Sequence, residues 1–127
     1  MTPEGRVKKN ISRILASFPF VYSFMPVQYG RGAAGIDYHC VAGKYYQVGF
    51  LVEMVPVAFF IEAKKPGDGP TPRQENFANE RKEKQNAITF VIDEDPSIGK
   101  GNGLDKLTEW LEEIEKNNER ICPAFTR

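Results

Sequence analysis

The stretch 59-FFIEAKKPGDGPTPRQENF-77 decides how this chain is read. It begins as an apolar strand, yet Glu62 and Lys64 stand two residues apart in it. Side chains alternate along a strand, so Ala58, Phe60, Glu62 and Lys64 share one face, while Val57, Phe59, Ile61 and Ala63 share the other. A carboxylate and an ammonium left unpaired in a core are costly, so the strand is expected to end at a wet or metal-containing cleft. The segment 65-KPGDGP-70 then reads as a turn cluster. Thr71, Pro72 and Gln74 follow as a cap, a first-turn proline and a capping-box partner, which predicts a helix over about 71–85. Phe77, Ala78 and Arg81 succeed Gln74 at i+3, i+4 and i+7.

Upstream, Thr2, Pro3 and Glu4 suit the start of a first helix. Val7, Ile11, Ile14, Leu15 and Phe18 form its buried stripe, which Glu4 extends by one turn, and Arg6, Lys8, Lys9 and Arg13 fall mostly on other faces. VYSFMPV, 21–27, reads as a short strand. The segment 28-QYGRGAAGIDY-38 lets backbone approach a ligand or a second chain closely, and it lacks the Lys-Ser/Thr of a phosphate loop. Strands are predicted over 38–42, 45–55 and 57–63, with a turn at Gly43-Lys44 and a break or edge position at Pro56. AITFVI, 87–92, is apolar enough for a central strand, and 94-EDPSIGKGNG-103 has the composition of a loop. A third helix over 104–118 buries Leu104, Leu107, Leu111 and Ile114, with Trp110 beside that stripe. The order α-β-β-β-β-α-β-α predicts one α/β domain over 1–127, a mixed sheet flanked by helices.

The composition suits a soluble domain of 127 residues, 41% hydrophobic and 12% aromatic, able to bury a core without metal or disulfide support. No apolar run approaches the roughly 18 residues of a membrane span. The start, MTPEGRVKKNISRIL, is charged and unlike a signal peptide. Cys40 and Cys122 form no disulfide or metal pattern, so a cytoplasmic location is expected. The formal charge of zero hides an asymmetry: residues 1–92 hold 12 Lys/Arg against 8 Asp/Glu, and residues 93–127 hold 5 against 9. A basic face of that kind attracts phosphates whatever the overall pI.

Asp37, opening an earlier strand after the Gly-rich segment, supplies a second carboxylate beside Glu62. Two hard oxygen ligands suit Mg²⁺ or Mn²⁺, which polarises phosphorus and generates hydroxide. Lys64 would orient the attacking water or offset transition-state charge. No Ser-His-Asp or Cys-His set is present, and His39, the only histidine, reads as structural.

Asp37 followed by 62-Glu-Ala-Lys-64 at the end of an apolar strand resembles the PD-(D/E)XK nuclease signature. Glu4 in a first helix, Gly35 before Asp37, and Gln74 with Phe77 after the E-x-K strand extend the resemblance to the virus-type replication-repair nuclease (VRR-NUC) family, over residues 2–92. It implies a restriction-endonuclease-like core with Asp37, Glu62 and the Ala63 carbonyl as metal ligands. Glu4 would reach the metal directly or through water, Lys64 would be the catalytic lysine, and Gln74 would sit at the site. It further implies a Mg²⁺- or Mn²⁺-dependent DNA endonuclease, homodimeric, acting on Holliday junctions or other branched DNA in replication, repair or recombination. The implied setting is a bacterial or phage-infected bacterial cell. Arg6, Lys8, Lys9, Arg31, Lys65 and Arg73 are the expected phosphate contacts. The Gly-rich 30–35 segment and the apolar 45–57 strand are the expected dimer surface. Two features depart from the family pattern: Ile36 stands where a proline is common, and residues 47–56 lengthen the hairpin before the E-x-K strand.

The same residues also have plainer uses. Glu62 and Lys64 suit an edge-strand ion pair, Gln74 a capping box, Glu4 the helix dipole and Asp37 a turn cap. The rival functions are a non-catalytic nucleic-acid-binding module of the same fold, and an interaction protein whose acidic last helix meets a partner.

Overall fold

The computed structural model describes residues 2–25, 37–70, 72–99 and 101–123; the side chains of Arg73 and Phe77 lie outside that description. Seven elements follow in order: α1 (Pro3–Ala16), β1 (Val21–Phe24), β2 (Tyr38–Val48), β3 (Leu51–Ala63), α2 (Pro72–Gln85), β4 (Ile88–Ile92) and α3 (Leu104–Ile121). Thr2 caps α1, its hydroxyl accepting the Gly5 N–H at 3.0 Å ahead of Pro3, as the sequence predicts. The strands form one sheet in the order β1-β2-β3-β4, antiparallel except for the parallel β3–β4 pair. The chain is thus α/β with a four-stranded mixed sheet and three helices.

The alternation read in β3 holds. Phe59, Ile61 and Ala63 are buried beside Tyr38, Cys40 and Ala42 of β2 and Phe90 and Ile92 of β4. Val7, Ile11 and Leu15 of α1 and Leu104, Leu107, Leu111 and Ile114 of α3 complete that core. The Tyr38 hydroxyl ties β2 to α1, donating to the Lys8 carbonyl at 3.0 Å with Ser12 Oγ also at 3.0 Å. Trp110 of α3 packs edge-on against Phe59 and Phe90. The opposite face carries Phe60 and Glu62 and meets α2, where Arg81 lies over the Phe60 ring and its Nε donates to Thr89 Oγ1 at 3.0 Å.

Three expectations are corrected. The turn falls at Gly49-Phe50, not at Gly43-Lys44, so two long strands replace three short ones and the order becomes α-β-β-β-α-β-α. Gly49 adopts φ +61, which a glycine tolerates freely. Gly43 stays in the strand because it packs close to the neighbouring one: a Cβ there would stand 2.6 Å from Met54 Sδ. Its N–H donates to the Phe20 carbonyl at 2.9 Å, away from β3. Pro56, paired with Gly43, therefore turns its nitrogen to the open edge, since β4 joins β3 only from Phe59. The edge half of the Pro56 reading stands and the break does not. Finally, β4 ends the sheet order instead of lying at its centre; its apolar character is explained by cover from helices.

Beyond β1 the edge of β2 is held by side chains. Asn118, 2% exposed, accepts the Tyr45 N–H at 2.9 Å and donates to the Gly43 carbonyl at 2.9 Å, and Asn117 donates to the Tyr45 carbonyl at 2.9 Å. These amides continue the ladder where a strand is missing. Asn118→Ala removes two hydrogen bonds to the β2 edge and is expected to destabilise the fold by roughly 2–3 kcal/mol. A lowered urea midpoint with unchanged slope checks this, and an unchanged midpoint refutes it.

Candidate active site

Glu62 and Lys64 reach the same end of the sheet because β3 delivers them there, at the carboxyl end of its parallel pairing with β4. The Lys64 N–H donates to the Ile92 carbonyl at 2.9 Å, so the ladder extends rigidly through the strand's last residues. Asp37, immediately before β2, closes on the same point. Its Oδ2 accepts the Ala63 N–H at 2.7 Å, and Lys8 Nζ lies 3.5 Å from its Oδ1. From the first turn of α2, Gln74 Nε2 donates to Glu62 Oε2 at 3.3 Å.

Glu62 is 4% exposed, and burial, aided by the nearby Asp37 charge, pushes its carboxyl up to about 7. Lys64 and Arg81 pull in the other direction, and Glu4 adds a smaller repulsion. The end of β3 thus has three acids, Glu4, Asp37 and Glu62, and three cations, Lys8, Lys64 and Arg81, in its neighbourhood, brought from α1, the residue before β2, the end of β3 and α2. It suits chemistry on an anionic substrate: hard oxygen donors for a cation, a lysine on the same strand face, and an amide that orients the buried carboxylate.

No protein-family model, curated protein or solved structure matches this chain.

Of the five side chains read from sequence as catalytic, Gln74 bonds Glu62 and Asp37 bonds the Ala63 N–H, while Lys64 and, more weakly, Glu4 act on Glu62 through their charge. Ala63 is buried, with its N–H held by Asp37. The expected phosphate contacts divide. Lys8 pairs with Asp37 and so belongs to the site, while Arg6 is taken by Asp95, its Nε 2.8 Å from Oδ2. Lys9 and Lys65 are exposed. Arg31, the Gly-rich 30–35 segment and the side chain of Arg73 lie outside the described residues. Two site residues were missed in these roles: Lys8, one turn on from Glu4, and Arg81, two turns on from Gln74. Their i+4 and i+7 spacing was the available signal.

Among the described residues, no three His, Cys, Asp or Glu side chains already surround one point as a finished metal cage. The donors present, the carboxylates of Asp37, Glu62 and Glu4, are hard oxygen ligands of the kind that Mg²⁺ or Mn²⁺ would take. Glu62 is held toward its protonated form by burial first and by Asp37 next, so a cation would have to displace that proton to bind it. No helix among the described residues is long and apolar enough to cross a membrane.

Proposed function

We propose that this protein is a Mg²⁺- or Mn²⁺-dependent DNA endonuclease of the VRR-NUC branch of the PD-(D/E)XK nucleases, hydrolysing phosphodiester bonds in branched DNA such as Holliday junctions. One observation carries the reading: Asp37 meets the Glu62-Ala63-Lys64 strand end through its bond to the Ala63 N–H. An edge-strand ion pair would need neither that acid nor Gln74. Asp37, Glu62 and the Ala63 carbonyl would hold the metal, with Glu4 directly or through water. When bound, the ion would polarise a phosphate oxygen and lower the pKa of water. Lys64 would orient the attacking water or offset negative charge building on the phosphate. Gln74 fixes the Glu62 carboxylate, and Arg81 supports its ionised form.

The test is cleavage of four-way, forked and linear DNA by the wild-type protein in Mg²⁺, Mn²⁺ or EDTA. Metal-dependent cutting with preference for branched substrates supports the proposal; its absence at all metal concentrations sinks it. A non-catalytic nucleic-acid-binding module is the second reading, and one observation favours it: both Asp37 oxygens already have protein partners. Binding without cutting would establish that instead.

A homodimer is part of the same proposal. From 43 to 48 and 51 to 56, β2 and β3 pair chiefly with each other and form a two-stranded arm. Val48, Leu51, Val52 and Met54 are exposed along it, with Phe50 fully exposed at its tip. Such an arm is marginal alone in water, and it carries only Lys44 and Glu53 as charges, so its apolar faces suit a second copy better than DNA. Phe50→Asp with Val48→Lys is expected to lower the sedimenting mass from twice 14.4 kDa to 14.4 kDa. A wild-type protein that sediments as a monomer refutes this role for the arm.

A further inference from the structure

The flank of α1 turned away from the carboxylates carries a second feature. Arg6, Lys9, Asn10 and Arg13, spaced i, i+3, i+4 and i+7, form one wall of a groove of ≈ 390 Å³ whose other wall is Asp95, Pro96 and Ser97. Three cations face one acid. That acid is already neutralised: Asp95 Oδ2 holds Arg6 Nε at 2.8 Å, and Oδ1 accepts the Ser97 N–H at 3.1 Å and its hydroxyl at 2.6 Å. Asp95 is 1% exposed, with its carboxyl held below the usual range by the Ser97 hydroxyl first and by Arg6. The pair therefore fixes a guanidinium at the groove without cancelling the charge of the other two. Lys9 and Arg13 are exposed and have no acidic partner among the described residues.

We infer that this groove is a phosphate subsite for a nucleic-acid strand, distinct from the carboxylate site, gripping backbone that flanks the cut. The inference rests on the nuclease reading. Glu4 and Lys8 mark the side of α1 facing the carboxylates, and the groove lies on the far side, so a helix diameter of roughly 10–12 Å separates the two. At about 3.4 Å of rise per nucleotide along one strand, that spacing corresponds to roughly three nucleotides. Arginine and lysine beside a serine and an asparagine make up a set that recognises phosphodiester oxygens and carries no base readout. A strand crossing the N-terminal end of α1 would meet both places. The groove then contributes affinity and register, and the chemistry stays with Lys64 and its neighbours.

The experiment compares wild type with Lys9→Glu/Arg13→Glu, and with the milder Lys9→Gln/Arg13→Gln. Anisotropy with a fluorescent four-way junction in EDTA reads binding, and cleavage in Mg²⁺ reads kcat and KM. Both positions are exposed on a helix, and circular dichroism verifies that the variants fold. Loss of two phosphate contacts should weaken binding about tenfold or more and flatten the salt slope by about 1.8. KM should rise while kcat holds. A junction with single neutral methylphosphonates placed about three nucleotides from the cut should weaken wild type and leave the double variant unaffected. Equal affinity and slope for the variants, with wild-type cleavage intact, overturns the groove alone. If wild type neither binds nor cuts, the nuclease reading falls and the groove falls with it.

Discussion

Lys64→Ala is expected to lower metal-dependent cleavage by about 10²–10³-fold in kcat, which is the usual loss when one aimed electrostatic group is removed from a developing oxyanion. The variant should fold, because the part of Lys64 that belongs to the sheet is its backbone N–H on the Ile92 carbonyl. DNA affinity in EDTA should change little. The informative control is the neighbouring Lys65→Ala. Lys65 is exposed and, one residue further along, leaves the face that Glu62 occupies. It should keep kcat within about twofold and raise KM modestly, the pattern of lost uniform binding. Equal losses of kcat in the two variants would mean that positive charge in general matters and that position does not, which defeats the catalytic assignment. Cleavage by Lys64→Ala at more than half the wild-type rate defeats it as well.

What could be read in advance follows the range of the forces involved. The face alternation of 57–63 is a local, period-two property, and Glu62 and Lys64 stood out because they break an apolar strand. The start of α2 beside Gln74 was legible from Thr71 and Pro72, of which Thr71 lies outside the described residues. The place of Gln74 at the site was only what the resemblance implied, whereas Asp37 was read as a second carboxylate and does reach the strand end at Ala63. The misplaced turn has a distant cause. Gly43-Lys44 has turn composition, but Asn117 and Asn118 hold that backbone straight from more than 70 residues away. The apolar run of β4 did not reveal whether strands or helices cover it; Trp110 and the α3 stripe do so at the sheet's edge. Lys8 was grouped with surface cations because its charge was visible and its partner, Asp37, was not. Periodicity is a local property, whereas these pairings join residues far apart in the chain.

The metal-free protein is expected to lose stability as pH rises from about 4.5 to 7, and Glu62→Gln should abolish most of that loss. Burial first, then Asp37, raises the Glu62 carboxyl from 4.5 to about 7, and Lys64 and Arg81 only partly oppose them. A carboxyl that holds its proton more tightly when folded stabilises fully below the unfolded pKa, and that contribution disappears as pH climbs through the folded one. The window is therefore about 4.5 to 7, and the loss is on the order of 3 kcal/mol for a group only 4% exposed. Glutamine mimics the protonated acid and still offers an oxygen to the Gln74 amide. Urea melts in EDTA across pH 4 to 8.5 should show wild type falling relative to Glu62→Gln between about pH 4.5 and 7 and running parallel to it above 7. Mg²⁺ or Mn²⁺ should act in the opposite sense, because a metal ligand must be ionised. Affinity should then rise with pH and level off above 7, with proton release on binding below 7, seen as a buffer-dependent heat by calorimetry. Parallel stability curves for the two proteins would show that Glu62 is not the protonated acid that its surroundings require, and with it would go the case for a buried carboxylate held ready for a cation.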